Sequence, residues 1–154
     1  MESVSDPLLI HLAACPALER LDVTFCTMLT DLSLTRFAKQ VAAPVHTLLL
    51  GRCSQITSRG VLSVLQYLPV EVLEVWAMPL LTDEILVYIM HHELSLKRLG
   101  AEHCPELSEK ALQVLEELKP HIEVKHGMAL MTDLQRSIQQ RFAKNPTGTA
   151  RTGT

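Results

Sequence analysis

One short pattern, returning about every 26 residues, constrains this chain more than any other feature. Its clearest copy is Leu18-x-x-Leu21-x-Val23-x-x-Cys26-x-x-Leu29-Thr30-Asp31. The same frame returns as Val45, Leu48, Leu50, Cys53, Ile56, Thr57 and Ser58, then as Val70, Leu73, Val75, Met78, Leu81, Thr82 and Asp83. A fourth copy carries Leu96, Leu99, Ala101, Cys104, Leu107, Ser108 and Glu109. A blurred fifth carries Ile122, Val124, Met128, Met131, Thr132 and Asp133 with a one-residue slip. Spacing between Cys26, Cys53, Met78, Cys104 and Met128 runs 27, 25, 26 and 24 residues. A unit this short cannot bury its own apolar face, so units at this period stack and share one core as a solenoid.

Within each copy the alternation at Leu21-x-Val23, Leu48-x-Leu50, Leu73-x-Val75 and Leu99-x-Ala101 predicts a short strand with those pairs on one face. Thr or Ser followed by an acid or Ser then marks a helix start, where a side-chain oxygen satisfies free amides. Apolar residues follow at helical spacing: Leu34, Phe37, Ala38 and Val41; Val61, Val64, Leu65 and Leu68; Leu86, Ile89 and Met90; Leu112, Leu115 and Leu118. Pro44, Pro69 and Pro120 fall past the helix ends, where a missing amide stops propagation. Strands should therefore stack in parallel, with helices as right-handed crossovers on the other side.

The pattern resembles the cysteine-containing type of leucine-rich repeat, as in the repeat domains of F-box/LRR proteins. The resemblance rests on the strand Leu21-x-Val23, on Cys26, Cys53 and Cys104, on the following Leu-Thr-Asp, and on the run Ala14-Cys15-Pro16-Ala17-Leu18. It covers roughly residues 4–142 and implies an α/β leucine-rich-repeat solenoid, with a curved parallel sheet on the concave side and helices on the convex side. One domain is expected over residues 1–142: a partial N-terminal repeat, four clear repeats and a degenerate C-terminal capping repeat. In the cap, Leu134, Ile138 and Phe142 share one face of a helix running from Thr132. Residues 143–154, small and polar, are expected to be a disordered tail.

At the other end, Ser5-Asp6-Pro7 opens a helix with Leu9, Leu12 and Ala13 in frame, so the strand near 18–25 would be a bare sheet edge. Such an edge invites cover. Either the chain is part of a longer solenoid, or a partner or second copy covers that end.

Composition narrows the function classes. With 47% apolar residues in a chain of 154, one good core is expected and no second domain. Net charge is −3, and Lys and Arg are dispersed, which argues against nucleic acid and anionic membranes as partners. The acidic N-terminus lacks a signal peptide's basic start and apolar run, and no apolar stretch approaches the roughly 18 residues of a membrane span. The expected compartment is the cytoplasm, or the nucleus. Of four cysteines none forms a C-x-x-C pair and three share one repeat position, which reads as small buried apolar groups rather than a disulfide framework.

Chemistry-bearing motifs are missing. Seven histidines give neither H-E-x-x-H nor a Cys/His zinc spacing, and no G-x-S-x-G, Walker A or G-x-G-x-x-G occurs. No enzyme activity, cofactor or metal is expected. The run Leu68-Pro69-Val70-Glu71-Val72-Leu73 looks like the start of an F-box, but Val70 and Leu73 fall in the repeat frame and the repeat reading takes them.

A binding surface is the remaining expectation. Outward strand residues should form columns about 4.8 Å apart: Arg20, Thr47, Val72, Arg98; then Asp22, Leu49, Glu74, Gly100; then Thr24, Gly51, Trp76, Glu102. Just beyond lie Phe25, Arg52, Ala77 and His103. The site expected for a protein partner on the concave face comprises Arg20, Asp22, Phe25, Leu49, Arg52, Val72, Glu74, Trp76, Arg98 and Glu102, aromatic at its centre and charged at its rim. The alternative is that Trp76 and Phe25 turn into the strand-to-helix loops and cover core. The resemblance further implies a substrate-recognition or adaptor component of SCF-type ubiquitin ligases, limited by the absent F-box. A second resemblance, to short repeat proteins related to mitochondrial ATP synthase factor B, implies a structural or assembly subunit docked permanently in a larger complex. No Arg-rich, acid-poor transit segment supports a mitochondrial version.

Overall fold

The computed structural model describes residues 6–127. Strand and helix alternate along it: α1 (Asp6–Leu12), β1 (Arg20–Asp22), α2 (Asp31–Gln40), β2 (Thr47–Leu49), α3 (Ser58–Tyr67), β3 (Val72–Glu74), α4 (Glu84–His91), β4 (Arg98–Gly100), α5 (Glu109–Leu118) and β5 (Glu123–Lys125). The strands form one parallel sheet in sequence order, β1-β2-β3-β4-β5. Its register matches the repeat frame: Leu21 pairs with Leu48, Leu48 with Leu73, Leu73 with Leu99, and Leu99 with Val124. The stretch resembling an F-box runs from Leu68, the C-cap of α3, into the first two residues of β3.

One face of the sheet packs on the helices. Leu21, Leu48, Leu73 and Leu99 are buried there with Val23, Leu50, Val75 and Ala101, against Leu34, Phe37, Val61, Val64, Leu86, Ile89, Leu112 and Leu115. Three-residue strands suffice because backbone pairing continues past them. Val23 N–H donates to Leu49 O at 3.0 Å and Phe25 N–H to Gly51 O at 2.8 Å, and the same two bonds recur in each later repeat.

The shared Cys position adds a bond of its own. The Cys53 thiol donates to Val23 O at 3.1 Å and Cys104 to Val75 O at 3.0 Å, each reaching back one repeat. Burial pushes the Cys53 thiol up to about 12 and raises Cys104 as well, so both stay protonated and unreactive. Met78 fills the same slot in the third repeat and has no S–H to give.

The Thr or Ser after a strand and the residue that follows it work in two directions. Thr30, Thr57 and Ser108 cap α2, α3 and α5 by accepting from Ser33, Arg59 and Ala111 amides. The next residue then reaches the following repeat. Asp31 accepts from Thr57 N–H at 2.8 Å and Thr57 Oγ1 at 2.5 Å, and Asp83 accepts from Ser108 N–H at 2.8 Å and Ser108 Oγ at 2.6 Å. Ser58 takes this part toward Thr82, accepting its amide at 2.8 Å. A polar ladder thus ties successive helix N-termini together along one rim of the stack.

Three details differ from expectation. α4 is capped at Asp83 rather than Thr82, with helical backbone angles and no side-chain cap bond, because the Asp83 carboxylate is committed to Ser108. Ile85, outside the predicted stripe, is fully buried, whereas Met90 is only half-buried. Leu118 is 59% exposed: two successive steps of three residues from Leu112 drift about 120° around a helix and leave the buried face. The expected positions of Met128, Met131, Thr132 and Asp133, the capping helix and the tail lie outside the described residues, as do residues 1–5. Among the described residues no helix is long and apolar enough to cross a membrane.

Candidate functional site

The sheet's outer face is built by the residues between the buried ones. Register aligns Arg20, Thr47, Val72 and Arg98 in one column and Asp22, Leu49, Glu74 and Gly100 in the next. At the end of each strand the chain turns through a left-handed residue: Phe25 (φ 66°), Arg52 (φ 61°), Ala77 (φ 53°) and His103 (φ 59°). Glycine would adopt these angles most easily, yet four side chains are carried there on a tight, hydrogen-bonded turn. Gly127 (φ 87°), the acceptor of the His103 amide, is left-handed as well, one position earlier in the strand register.

Two of those side chains meet Trp76. Phe25, 57% exposed, stands edge-on to the indole with centroids 5.7 Å apart and planes at 82°. The Arg52 guanidinium lies 5.5 Å from the Phe25 ring and 5.9 Å from Trp76. Trp76 itself is half-buried because it lies across Gly51, where any Cβ would overlap the indole. Neither ring is in the core. Glu74 rests on Gly100 in the same way, one repeat further on. Both glycines are buried seats for a neighbour's side chain rather than open surface.

Beside this cluster is a depression of about 520 Å³ lined by Arg52, Glu74, Trp76, Ala77, Glu102 and His103. Burial lifts the Glu74 carboxyl above the usual range, and repulsion from Glu102 and Glu123 adds to it, while Lys125 and Arg98 pull the other way. A carboxyl that binds its proton more tightly in the folded state makes stability fall as pH rises through its titration. Glu74→Gln should therefore raise the melting temperature at pH 7, modestly because the group is only partly buried. The gain should vanish below the ordinary glutamate range, which melting curves at pH 7 and pH 3.5 will show.

The expected site residues separate into three groups. Phe25, Arg52, Glu74, Trp76 and Glu102 gather at the cluster and the depression. Leu49 and Val72 are half-buried on the strands beside it. Arg20 and Asp22 lie on the edge strand β1, and Arg98 is held by Glu123 at 3.1 Å. Ala77 and His103 were not among the expected site residues. Their signal was their equivalence to Phe25 and Arg52 in the repeat frame. Among the described residues no three His, Cys, Asp or Glu side chains cluster as a metal site would require.

These features define a leucine-rich-repeat type of solenoid with a mixed aromatic and charged outer face. No protein-family model matches the chain, and no curated protein matches it in sequence. A solved structure that it resembles is the tropomodulin C-terminal domain of Caenorhabditis elegans, with a TM-score of 0.62 and 14% identity. That match covers 91% of this chain and 99% of the other, and at this identity it speaks for the fold.

Proposed function

We propose that this protein is a non-enzymatic protein–protein interaction module that holds its partner on the outer, concave face of the sheet. One observation carries the reading: a largely exposed Phe25, edge-on to Trp76 and bridged by Arg52, has the residue types and the setting of an interface anchor. An aromatic group left this open on a turn with a strained backbone gives the fold little in return. The finer role, substrate recognition or an adaptor function as in F-box/LRR proteins, rests on the cysteine-type repeat pattern.

Trp76→Ala tests the docking face. Affinity capture from cells should lose its partners with Trp76→Ala and keep them with Val87→Ala on the exposed side of α4, while both variants melt near the wild type. Retained partners with lowered melting would assign Trp76 a structural role instead. Cullin and Skp-type proteins among the captured partners would support the ligase role, and their absence would argue for a general scaffold.

A permanently docked assembly subunit is the second reading. It is favoured by β1, which has no strand beyond it among the described residues. That edge is only partly blunted, by Asp22 accepting the Thr24 amide at 3.1 Å. A monodisperse monomer in light scattering would remove this reading.

A further inference from the structure

The depression beside Trp76 has an electrostatic demand that the chain does not meet. Among the described residues Glu74 and Glu102 have no ion-pair partner, whereas nearby Arg98 is held by Glu123 at 3.1 Å and Lys97 by Glu71 at 2.9 Å. Arg52 neutralises neither carboxylate; its guanidinium is placed against the Phe25 and Trp76 rings. Glu74 is moreover pressed onto Gly100, partly out of water, with the like-charged Glu102 disfavouring its ionised form against the individually weaker pull of Lys125 and Arg98, neither of which pairs with it. A cation arriving between them relieves both the desolvation and the repulsion. The indole beside them offers a π-system to the same cation and an apolar wall to its stem.

We propose that this depression receives a lysine or arginine side chain of the protein partner, its charge between Glu74 and Glu102 and its methylene stem along Trp76. This rests on the reading of the outer face as a docking surface and adds the partner's chemistry: a basic segment. A volume of about 520 Å³ accommodates one long side chain with its flanking backbone. An acidic segment is disfavoured because two carboxylates, Glu74 and Glu102, line the depression with Arg52.

The only tryptophan of the chain provides the reporter, since its indole N–H gives one resonance from the site itself. The full-length protein is titrated with two peptides, acetyl-Gly-Arg-Arg-Gly-amide and acetyl-Gly-Glu-Glu-Gly-amide. The basic peptide should shift the indole resonance saturably and the acidic one should not. In the Glu74→Gln/Glu102→Gln protein, binding of the basic peptide should weaken at least tenfold without a fall in melting temperature. No saturable shift with the basic peptide, an unchanged affinity in the double variant, or a stronger response to the acidic peptide would each overturn the proposal. The two levels separate cleanly. Partners lost with Trp76→Ala but kept with Glu74→Gln/Glu102→Gln leave the docking face standing and remove the cation pocket. Partners kept with Trp76→Ala, together with a Gln-sensitive peptide shift, do the reverse.

Discussion

Leu73→Ala should destabilise the protein by about 2–5 kcal/mol, a large fraction of the roughly 5–15 kcal/mol that holds a domain together. Leu73 is fully buried in β3, the central strand, with Leu48 on one side and Leu99 on the other in direct register. Truncation removes contacts to both rungs and to the helices beneath, and the rungs cannot close the gap without leaving their hydrogen-bonded positions. In a solenoid each repeat touches only its neighbours, so the same change at an end should cost less. Leu21→Ala, on the edge strand with one neighbouring rung, should fall in the lower half of that range. Urea unfolding followed by circular dichroism measures both. A loss under about 1 kcal/mol for Leu73→Ala would mean that the side chain is not in a packed interior.

Asp31→Ala should cost about 1–3 kcal/mol, although Asp31 is not one of the buried core residues. Its carboxylate links the start of α2 to the cap of α3, accepting both the amide and the hydroxyl of Thr57. Without it a part-buried amide loses its acceptor and the Thr57 hydroxyl, which also caps α3 through Arg59, loses the group that orients it. Asp31→Asn keeps an oxygen for the amide and should lose about half as much. The equivalent Asp83→Ala acts on a more exposed rung and should cost less still. The same unfolding assay ranks the three variants, and an Asp31→Ala protein as stable as the wild type would show that the ladder is ornamental.

How far the sequence reveals this fold depends on what kind of information each residue carries. Leu21, Leu48, Leu73 and Leu99 announce their burial because period-two alternation puts them on a fixed face, and the repeat frame then sets the register. The prolines likewise mark helix ends by removing an amide. The Thr-Asp pair was legible only as a helix start. Its second role, toward the next repeat, depends on a spacing between neighbouring units that no single unit contains, even though the period places Asp31 and Thr57 one unit apart. Leu118 leaves the buried face because three-residue steps drift off a period of 3.6. Around the candidate site, the sequence places Phe25, Arg52, Glu74, Trp76 and Glu102 on or beside the outer face but not which of them touch. Whether a side chain stands up or lies across an adjacent strand depends on what faces it, and here Gly51 and Gly100 leave the room. Nor does a repeat pattern reveal that Phe25, Arg52, Ala77 and His103 share a left-handed backbone, since none of them is glycine.

The in-register stack is tested most directly by its cysteines. Three of the four, Cys26, Cys53 and Cys104, occupy the same repeat position and are buried, while Cys15 precedes the first strand and is exposed. Treatment of the reduced native protein with a chromogenic disulfide reagent should modify one thiol rapidly, and the other three only on unfolding in urea. Rapid reaction of two or more thiols in the native protein would place the repeat cysteines in water and contradict the stacking.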